Sequence, residues 1–155
     1  MRVLCTYDRV VTTPTERIAV AFGALLLRGN RAHLYDRLTA DVDGVDSTTY
    51  PVLSGLARTG PTTASRLADL VGLDRTVTTR YASRLEKAGL VARAADADDR
   101  RATRLSLTDE GRRAVAALRA GLEAILAEAL ETSSPEEVEV FARMLERLRD
   151  ALLPG

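Results

Sequence analysis

The sequence predicts a mainly α-helical fold that contains one small β-hairpin. The chain of 155 residues is long enough for one domain with its own core. Most apolar residues recur at spacings of three and four, which is the period of helices that bury one face. Between residues 90 and 107 the apolar period changes from about 3.6 to 2, as it does in paired strands. The predicted order is four helices, a hairpin and two further helices.

Two helix starts share one local pattern. Thr13-Pro14-Thr15-Glu16 and Ser134-Pro135-Glu136-Glu137 each combine a capping hydroxyl, a proline at the first helical position and a glutamate at the third. The first pattern predicts one long helix that ends near Ala40. The second predicts a C-terminal helix whose apolar face runs from Val138 to Leu152.

A helix-turn-helix is predicted in the middle of the chain. Thr62 or Thr63 caps a short helix that ends at Gly72, and Asp74 caps a second helix that runs to residue 88. A helix that starts near residue 47 precedes the pair and is stopped by a glycine and a proline at positions 60 and 61.

The hairpin follows the second helix at once. Residues 90–94 and 103–107 are predicted as its strands, and Asp96–Arg101, which joins them, is polar apart from Ala97. Thr108 caps the next helix, which begins with two acidic residues. A helix-turn-helix followed by such a hairpin is a winged helix-turn-helix, here flanked by long terminal helices.

The second helix of the pair carries the chemistry that points to DNA. Its predicted inner face is Val77, Tyr81 and Leu85, and its other face collects guanidinium and hydroxyl groups. Such groups reach base edges and phosphates when a helix enters the major groove, whereas an ordinary solvated face mixes glutamate and lysine more evenly. The predicted contacts are Asp74, Arg75, Thr76, Thr78, Thr79, Arg80 and Arg84 on this helix, with Thr62 and Thr63 on the first.

The tip of the hairpin is the second candidate contact. It reads Asp96-Ala97-Asp98-Asp99-Arg100-Arg101. An arginine there can lie over the narrow minor groove, where negative potential attracts a guanidinium, and an aspartate can hold that arginine in one orientation. A solvated charged loop would have the same composition, so the tip alone does not decide between the two interpretations.

Charge is distributed unevenly along the chain. The formal net charge is zero, with 22 basic and 22 acidic residues, which by itself argues against a nucleic-acid-binding protein. Residues 60–107, however, carry nine basic and six acidic side chains, while residues 108–155 carry six and ten. The basic charge therefore coincides with the helix-turn-helix and the wing, as a local DNA footprint requires.

Four segments together resemble the MarR family of transcriptional regulators. They are Asp74–Arg80, Arg84–Val91, Asp96–Ala102 and Leu107–Gly111. The wing pattern Asp-x-Arg followed by Leu-Thr-x-x-Gly is the most specific part, and the resemblance extends over nearly all of the chain after residue 13.

The resemblance implies a single domain, residues 1–155, that works as a homodimer. Residues 12–45 and 109–155 would supply the dimerisation helices, and residues 46–108 the DNA-binding lobe. Such a dimer reads a pseudo-palindromic double-stranded operator whose half-sites lie about one helical turn apart. Within the wing, Asp99 and Arg101 match the family's pair in the minor groove, and Arg100 would contact phosphate.

The resemblance also implies an effector. Members of the family usually repress transcription and release DNA when a small aromatic or anionic molecule binds between the dimer helices and the DNA-binding lobe. His33, Tyr35 and Tyr50 are candidates to line this pocket, although each also fits an ordinary surface or packing role. An effector of this kind acts only if it binds the two states with different affinity.

Two alternative functions stay open. One is a winged-helix protein that binds another protein, but the helix over residues 75–84 exposes no apolar anchor for a partner. The other is a redox-sensing regulator that uses Cys5, the only thiol, although no basic residue close to it would lower the pKa of the thiol.

Enzymatic and metal-binding functions find no support in the sequence. No G-x-S-x-G, P-loop or H-E-x-x-H motif occurs, and one histidine with one cysteine provides no set of metal ligands. No apolar run approaches the roughly 20 residues that span a bilayer. The first eleven residues lack the apolar core of a signal peptide, so we expect a cytoplasmic location. From the missing motifs and apolar runs we also expect no cofactor and no membrane partner.

Overall fold

A computed structural model describes residues 13–95 and 103–152. Helices and three short strands make up most of these residues, so the predicted mainly helical winged fold is confirmed. In chain order the elements are α1 (Pro14–Leu26), α2 (Arg28–Thr39), α3 (Tyr50–Thr59), β1 (Thr62–Thr63), α4 (Ala64–Val71), α5 (Arg75–Lys87), β2 (Val91–Ala95), β3 (Thr103–Leu107), α6 (Asp109–Ala129) and α7 (Pro135–Leu152).

The three strands form one antiparallel sheet in the order β1-β3-β2. Strands β2 and β3 are the predicted hairpin, in a register that pairs Val91 with Leu107 and Ala95 with Thr103. Strand β1, which pairs Thr62 with Leu105, was not predicted. It is only two residues long, and a segment of that length shows no apolar alternation.

The long N-terminal helix predicted up to Ala40 is instead two helices. Leu27 between them has an extended conformation, with φ −60° and ψ 134°. Asn30 bridges the break, because its side-chain amide donates a hydrogen bond of 2.7 Å to the carbonyl oxygen of Ala24. Gly29 and Asn30 have low helix propensity, so they favour a break at this point over a continuous helix.

The core lies where α3, α4, α5 and α6 meet the sheet. Its least exposed large side chains include Leu53, Leu67 and Leu85 from three helices and Leu105 from β3. Gly55 lets α3 and α4 approach closely, because a Cβ atom there would lie 2.7 Å from Val71 Cγ1. The helix-turn-helix and the base of the wing therefore share one core.

Side-chain caps begin most of the helices, as the sequence predicts. The Thr13 and Ser134 capping boxes form, with the backbone N–H groups of Glu16 and Glu137 donating to the hydroxyls at 3.2 Å in both cases. Thr63, and not Thr62, caps α4. Helix α3 begins at Tyr50, slightly later than predicted.

Candidate nucleic-acid interface

Helices α4 and α5 form the helix-turn-helix around Gly72. This glycine has φ 66° and ψ 37°, a left-handed conformation that side-chain-bearing residues adopt only at a cost. The next residue, Leu73, donates its N–H to the carbonyl oxygen of Ala68 at 3.1 Å and so closes the end of α4. The turn directs the start of α5 away from the core and towards solvent.

Asp74 fixes the start of α5. Its Oδ1 accepts hydrogen bonds from the backbone N–H groups of Thr76 at 2.7 Å and Val77 at 3.3 Å. These backbone hydrogen bonds lower the pKa of Asp74, so the carboxylate is ionised at the positive end of the helix. As a cap, Asp74 orients the helix, and its predicted contact with DNA stays a prediction.

The outer face of α5 presents cations and hydroxyls to solvent. Arg75, Thr76 and Arg80 are exposed. The Arg80 guanidinium carbon lies 5.3 Å from the centre of the Tyr81 ring, so the aromatic face supports its side chain. Thr79 is half-buried and donates its hydroxyl to the carbonyl oxygen of Arg75 at 2.9 Å. Near the start of α5, the side chains most open to solvent are therefore those of Arg75, Thr76 and Arg80.

Thr78 and Thr62 are buried, so the predicted place of Thr78 on the outer face of α5 is wrong, and the predicted DNA contacts of both residues stay predictions. Thr78 is 0 % exposed and Thr62 8 %. The buried stripe of α5 consists of Thr78, Ala82 and Leu85, while Val77 and Tyr81 are only half-buried. The inner face is thus rotated by about one residue from the predicted one, because α5 packs against α3 and α4 on one side and β2 on another. Thr62 is buried by its place in β1.

Arg84 is held by a partner that the sequence did not indicate. Its guanidinium forms an ion pair with Asp46 and also donates to Thr48 Oγ1 at 3.0 Å. Partial burial raises the pKa of Asp46, but hydrogen bonds from Thr48, Thr49 and Arg84 outweigh it and lower that pKa to about 2. Arg84 therefore links α5 to the start of α3 and is less available to DNA than Arg75 or Arg80.

A second arginine that the sequence did not single out joins the wing to α5. Arg93 on β2 places Nε 2.8 Å from Glu86 Oε2 and donates from Nη2 to Ser83 Oγ at 2.6 Å. The wing residues Asp99, Arg100 and Arg101, like Cys5, lie outside the described residues, so their predicted roles stay predictions.

The effector candidates are only partly brought together. The Tyr35 and Tyr50 rings lie 4.6 Å apart between centroids, inclined by 44°. Both line a cleft of about 300 Å³ that also includes Ser54 and Arg58. His33 is exposed on α2 and does not line this cleft.

Known proteins share this arrangement. A model of the MarR family matches residues 43–102. The HTH-type transcriptional repressor MdtR of Bacillus subtilis is 34 % identical over 108 residues, which is 70 % of this chain and 70 % of that one. The chain belongs to the MarR family. The predicted resemblance is therefore confirmed, and the protein is a transcriptional regulator.

Solved structures of MarR-type regulators agree with the fold. A MarR family protein from Bacillus stearothermophilus matches with a TM-score of 0.73 and 27 % identity, over 88 % of this chain and 96 % of that one. The PcaV regulator of Streptomyces coelicolor, solved with its natural ligand, matches with a TM-score of 0.55 and 26 % identity, over 94 % and 97 %.

The structure explains the Leu-Thr-x-x-Gly signature of this MarR chain. Thr108 accepts the N–H of Gly111 at 3.0 Å and donates its hydroxyl to the carbonyl oxygen of Gly89 at 2.6 Å. A Cβ atom at Gly111 would lie 2.0 Å from the carbonyl oxygen of Leu90. The threonine therefore caps α6 while the glycine allows α6 to pack directly on the residue before β2.

Membrane insertion and metal binding can be checked over residues 13–95 and 103–152. No helix in these ranges is both long and apolar enough to cross a bilayer. The same ranges hold no group of three or more histidine, cysteine or acidic side chains placed to bind a metal ion.

Proposed function

We propose that this MarR-family chain is a homodimeric repressor that reads a pseudo-palindromic operator and releases it when a small anionic effector binds. The observation that carries the proposal is the outer face of α5. Arg75, Thr76 and Arg80 are exposed there, near the N-terminus of the second helix of a helix-turn-helix. A helix that enters the major groove contacts base edges with this part. The adjoining wing would bring its arginines to the minor groove.

The apolar faces of the terminal helices support a homodimer. No residue of α1 or α7 is buried within the chain. On α1, Ile18 is 56 % exposed and Leu25 67 %, and on α7 Phe141 is 50 % and Leu145 48 % exposed. Contiguous exposed apolar faces of this kind mark interaction surfaces. A second copy of the chain offers the same faces for a two-fold contact, as in most soluble homo-oligomers.

The proposed dimer changes the predicted division of the chain at α6. Residues 12–45 and 109–155 supply the dimer and residues 46–108 the DNA-binding lobe, but α6 belongs to both. Its first half is buried against the lobe, through Ala114, Val115 and Leu118. Helix α6 is thus a rigid connection between the lobe and the proposed dimer interface.

The clefts along α3 suit a small anion with an aromatic body. Tyr35 and Tyr50 offer ring faces in a cleft of about 300 Å³, which is at the lower end of the size range of ligand pockets. Arg58 lines this cleft and a smaller adjoining one of about 90 Å³, which Arg119 also lines. Neither arginine forms an ion pair within the described part of the chain. Two cations without counter-ions beside tyrosine rings favour an aromatic carboxylate.

Binding of tiled DNA duplexes from upstream of the protein's own gene tests the proposal. Fluorescence anisotropy over a series of salt concentrations should find one duplex that binds far more tightly than an unrelated duplex of the same length. Arg80→Ala should weaken that binding by about 1–3 kcal/mol if the side chain reaches a base. Arg113→Ala on α6, an exposed arginine paired with Glu110, is the matched control and should bind normally.

Equal affinity of the wild-type protein for all duplexes would overturn the proposal. Benzoate, the simplest aromatic carboxylate, tests the effector in the same assay. Release of DNA by benzoate from the wild type but not from Arg58→Gln would support the cleft, and equal release from both would contradict it.

A further inference from the structure

We infer that Arg93 is a positioning residue that fixes the wing relative to the recognition helix α5. The inference rests on the proposed function, since it concerns how two DNA-reading elements are held together. It assigns the role to a residue that need not touch DNA itself.

The Arg93 guanidinium binds three positions on α5. Nε lies 2.8 Å from Glu86 Oε2, and Nη2 lies 2.6 Å from Ser83 Oγ and 3.4 Å from the carbonyl oxygen of Thr79. Residues 79, 83 and 86 lie along one stripe of the helix, at spacings of four and three. A single side chain of the wing therefore fixes nearly two turns of the recognition helix.

Because the contact between Arg93 and Glu86 is partly buried, its stability depends more on geometry than that of an exposed ion pair does. The Arg93 side chain is 27 % exposed and that of Glu86 41 %. Removing a guanidinium from water is favourable only where its donors find acceptors in good geometry. The Arg93 hydrogen bonds come from Nη2, while Nε is buried next to the Glu86 carboxylate as an ion pair without hydrogen-bond geometry. The planar fork of arginine holds these two nitrogens in a fixed relation, which the single ammonium of lysine cannot reproduce.

Arg93 attaches the wing to α5 at a point close to the end of β2. It stands on β2 opposite Leu105, a core residue of β3, in a ladder that continues to Ala95 and Thr103. Beyond Arg93 the strand carries only Ala94 and Ala95, both exposed, before the wing tip begins. Arg93 is thus the last long side chain of β2 that ties the hairpin to α5. On β3, Arg104 donates to the carbonyl oxygen of Pro61 at 2.8 Å and anchors the other strand before α4.

A direct phosphate contact would give Arg93 a different environment. Arg75 and Arg80 are exposed on α5, whereas Arg93 directs its donors into the helix from the side of the wing. The two possible roles of Arg93, positioning the wing and binding a phosphate, also predict opposite effects when the charge of Glu86 is removed. Removal of an acidic group beside DNA strengthens binding through charge alone. Removal of the partner that holds Arg93 weakens binding to the operator.

Glu86→Gln therefore tests the inference by the sign of its effect. We expect it to weaken operator binding about tenfold, the size of a coupling between contacting groups, while its affinity for an unrelated duplex is unchanged or higher. Arg93→Lys should lose a similar factor because it keeps the charge but not the fork. The double variant should lose no more than the weaker-binding single variant, because both changes break one contact. Glu110→Gln, which breaks an exposed ion pair with Arg113 on α6, is the matched control and should bind like the wild type.

The outcomes separate the inference from the proposed function. If Glu86→Gln binds the operator as tightly as the wild type or more tightly, Arg93 does not act by positioning. If it loses operator and unrelated DNA equally, with a lowered melting temperature, Arg93 is only structural and the inference is likewise overturned. A wild-type protein without preference for any duplex would overturn the proposed function, and this inference with it.

Discussion

At the scale of single residues, Asp46 joins the start of α3 to the recognition helix. Its Oδ1 accepts the backbone N–H groups of Thr48 at 3.0 Å and Thr49 at 2.9 Å, while its other oxygen pairs with Arg84. The carboxylate thus satisfies donors at the start of α3 and neutralises a cation on α5. Tyr50, the residue after Thr49, lines the proposed effector cleft.

Asp46 should give the protein an acid-sensitive stability. Its pKa is lowered from 3.8 to about 2 in the folded chain, so the stabilisation is present above pH 4 and is lost as the pH falls from 4 towards 2. Asp46→Asn should lower the free energy of unfolding at pH 7 by about 1 kcal/mol, a small value because both partners are about half exposed. Urea denaturation at pH 7 and pH 3 measures the effect.

The difference between Asp46→Asn and the wild type should shrink at pH 3. Asp69→Asn changes an exposed residue of α4 and is the control. Its free energy of unfolding should stay close to that of the wild type at both pH values. A difference that stays the same from pH 7 to pH 3 would show that the carboxylate charge does not matter.

Local residue patterns allowed the caps to be predicted but not the long-range partners. Thr13, Asp74, Thr108 and Ser134 cap their helices because donor and acceptor lie within three residues of each other. Arg84 meets Asp46 across 38 positions, so only the folded chain brings them together. The side of α5 that is buried is also decided by elements distant in the sequence. The sequence alone therefore predicted Thr78 on the outer face, whereas it is buried.

At the scale of elements, the junction between the wing and α6 depends on Gly111. The carbonyl oxygen of Leu90 occupies the space in which a side chain would begin, 2.0 Å from an ideal Cβ. Gly111→Ala should therefore force α6 away from β2 and lower the free energy of unfolding by about 3 kcal/mol or more. Thermal or urea denaturation measures this loss.

Gly121 on the same helix provides the matched control. An ideal Cβ there would meet no atom closer than Leu38 Cδ2 at 3.9 Å. Gly121→Ala should stabilise the protein by about 0.5–1 kcal/mol through helix propensity. Equal effects of the two substitutions would show that the Leu90 carbonyl does not limit this junction.

Elements with a long, regular period were predictable, and short or interrupted ones were not. Helices α5 and α6 and the hairpin strands follow clear spacing of apolar residues. Strand β1 is too short to show a period, and it exists because β3 offers a free edge to residues 62–63. The break at Leu27 lies within a run of leucines that reads as continuous helix, so only the low propensity of Gly29 and Asn30 hints at it.

At the scale of the whole molecule, the proposed dimer decides how the two recognition helices are spaced. The faces of α1 and α7 expose large apolar side chains that the chain itself does not cover. Sequence periodicity indicated these faces, but a periodic face does not reveal what covers it. Helix α6 would carry any change at the interface into the DNA-binding lobe.

Leu145→Glu should convert the dimer into a monomer. The substitution places a charge in the middle of the apolar face of α7, where a desolvated carboxylate would lack a partner. Light scattering coupled to size-exclusion chromatography measures the mass. Leu70→Glu on α4 is the control, since Leu70 is 51 % exposed and Leu145 48 %, yet only Leu145 lies on the terminal helices. A Leu145→Glu protein that remains dimeric would place the interface elsewhere.

Hydroxyl-radical footprinting on the tightest-binding upstream duplex shows whether two copies of α5 read two half-sites. We expect one dimer per site and two protected segments whose centres lie about one helical turn apart, with protection lost in Arg75→Ala and Arg80→Ala. Protection of a single isolated segment, or uniform protection that does not depend on sequence, would show that two copies of α5 do not read two half-sites.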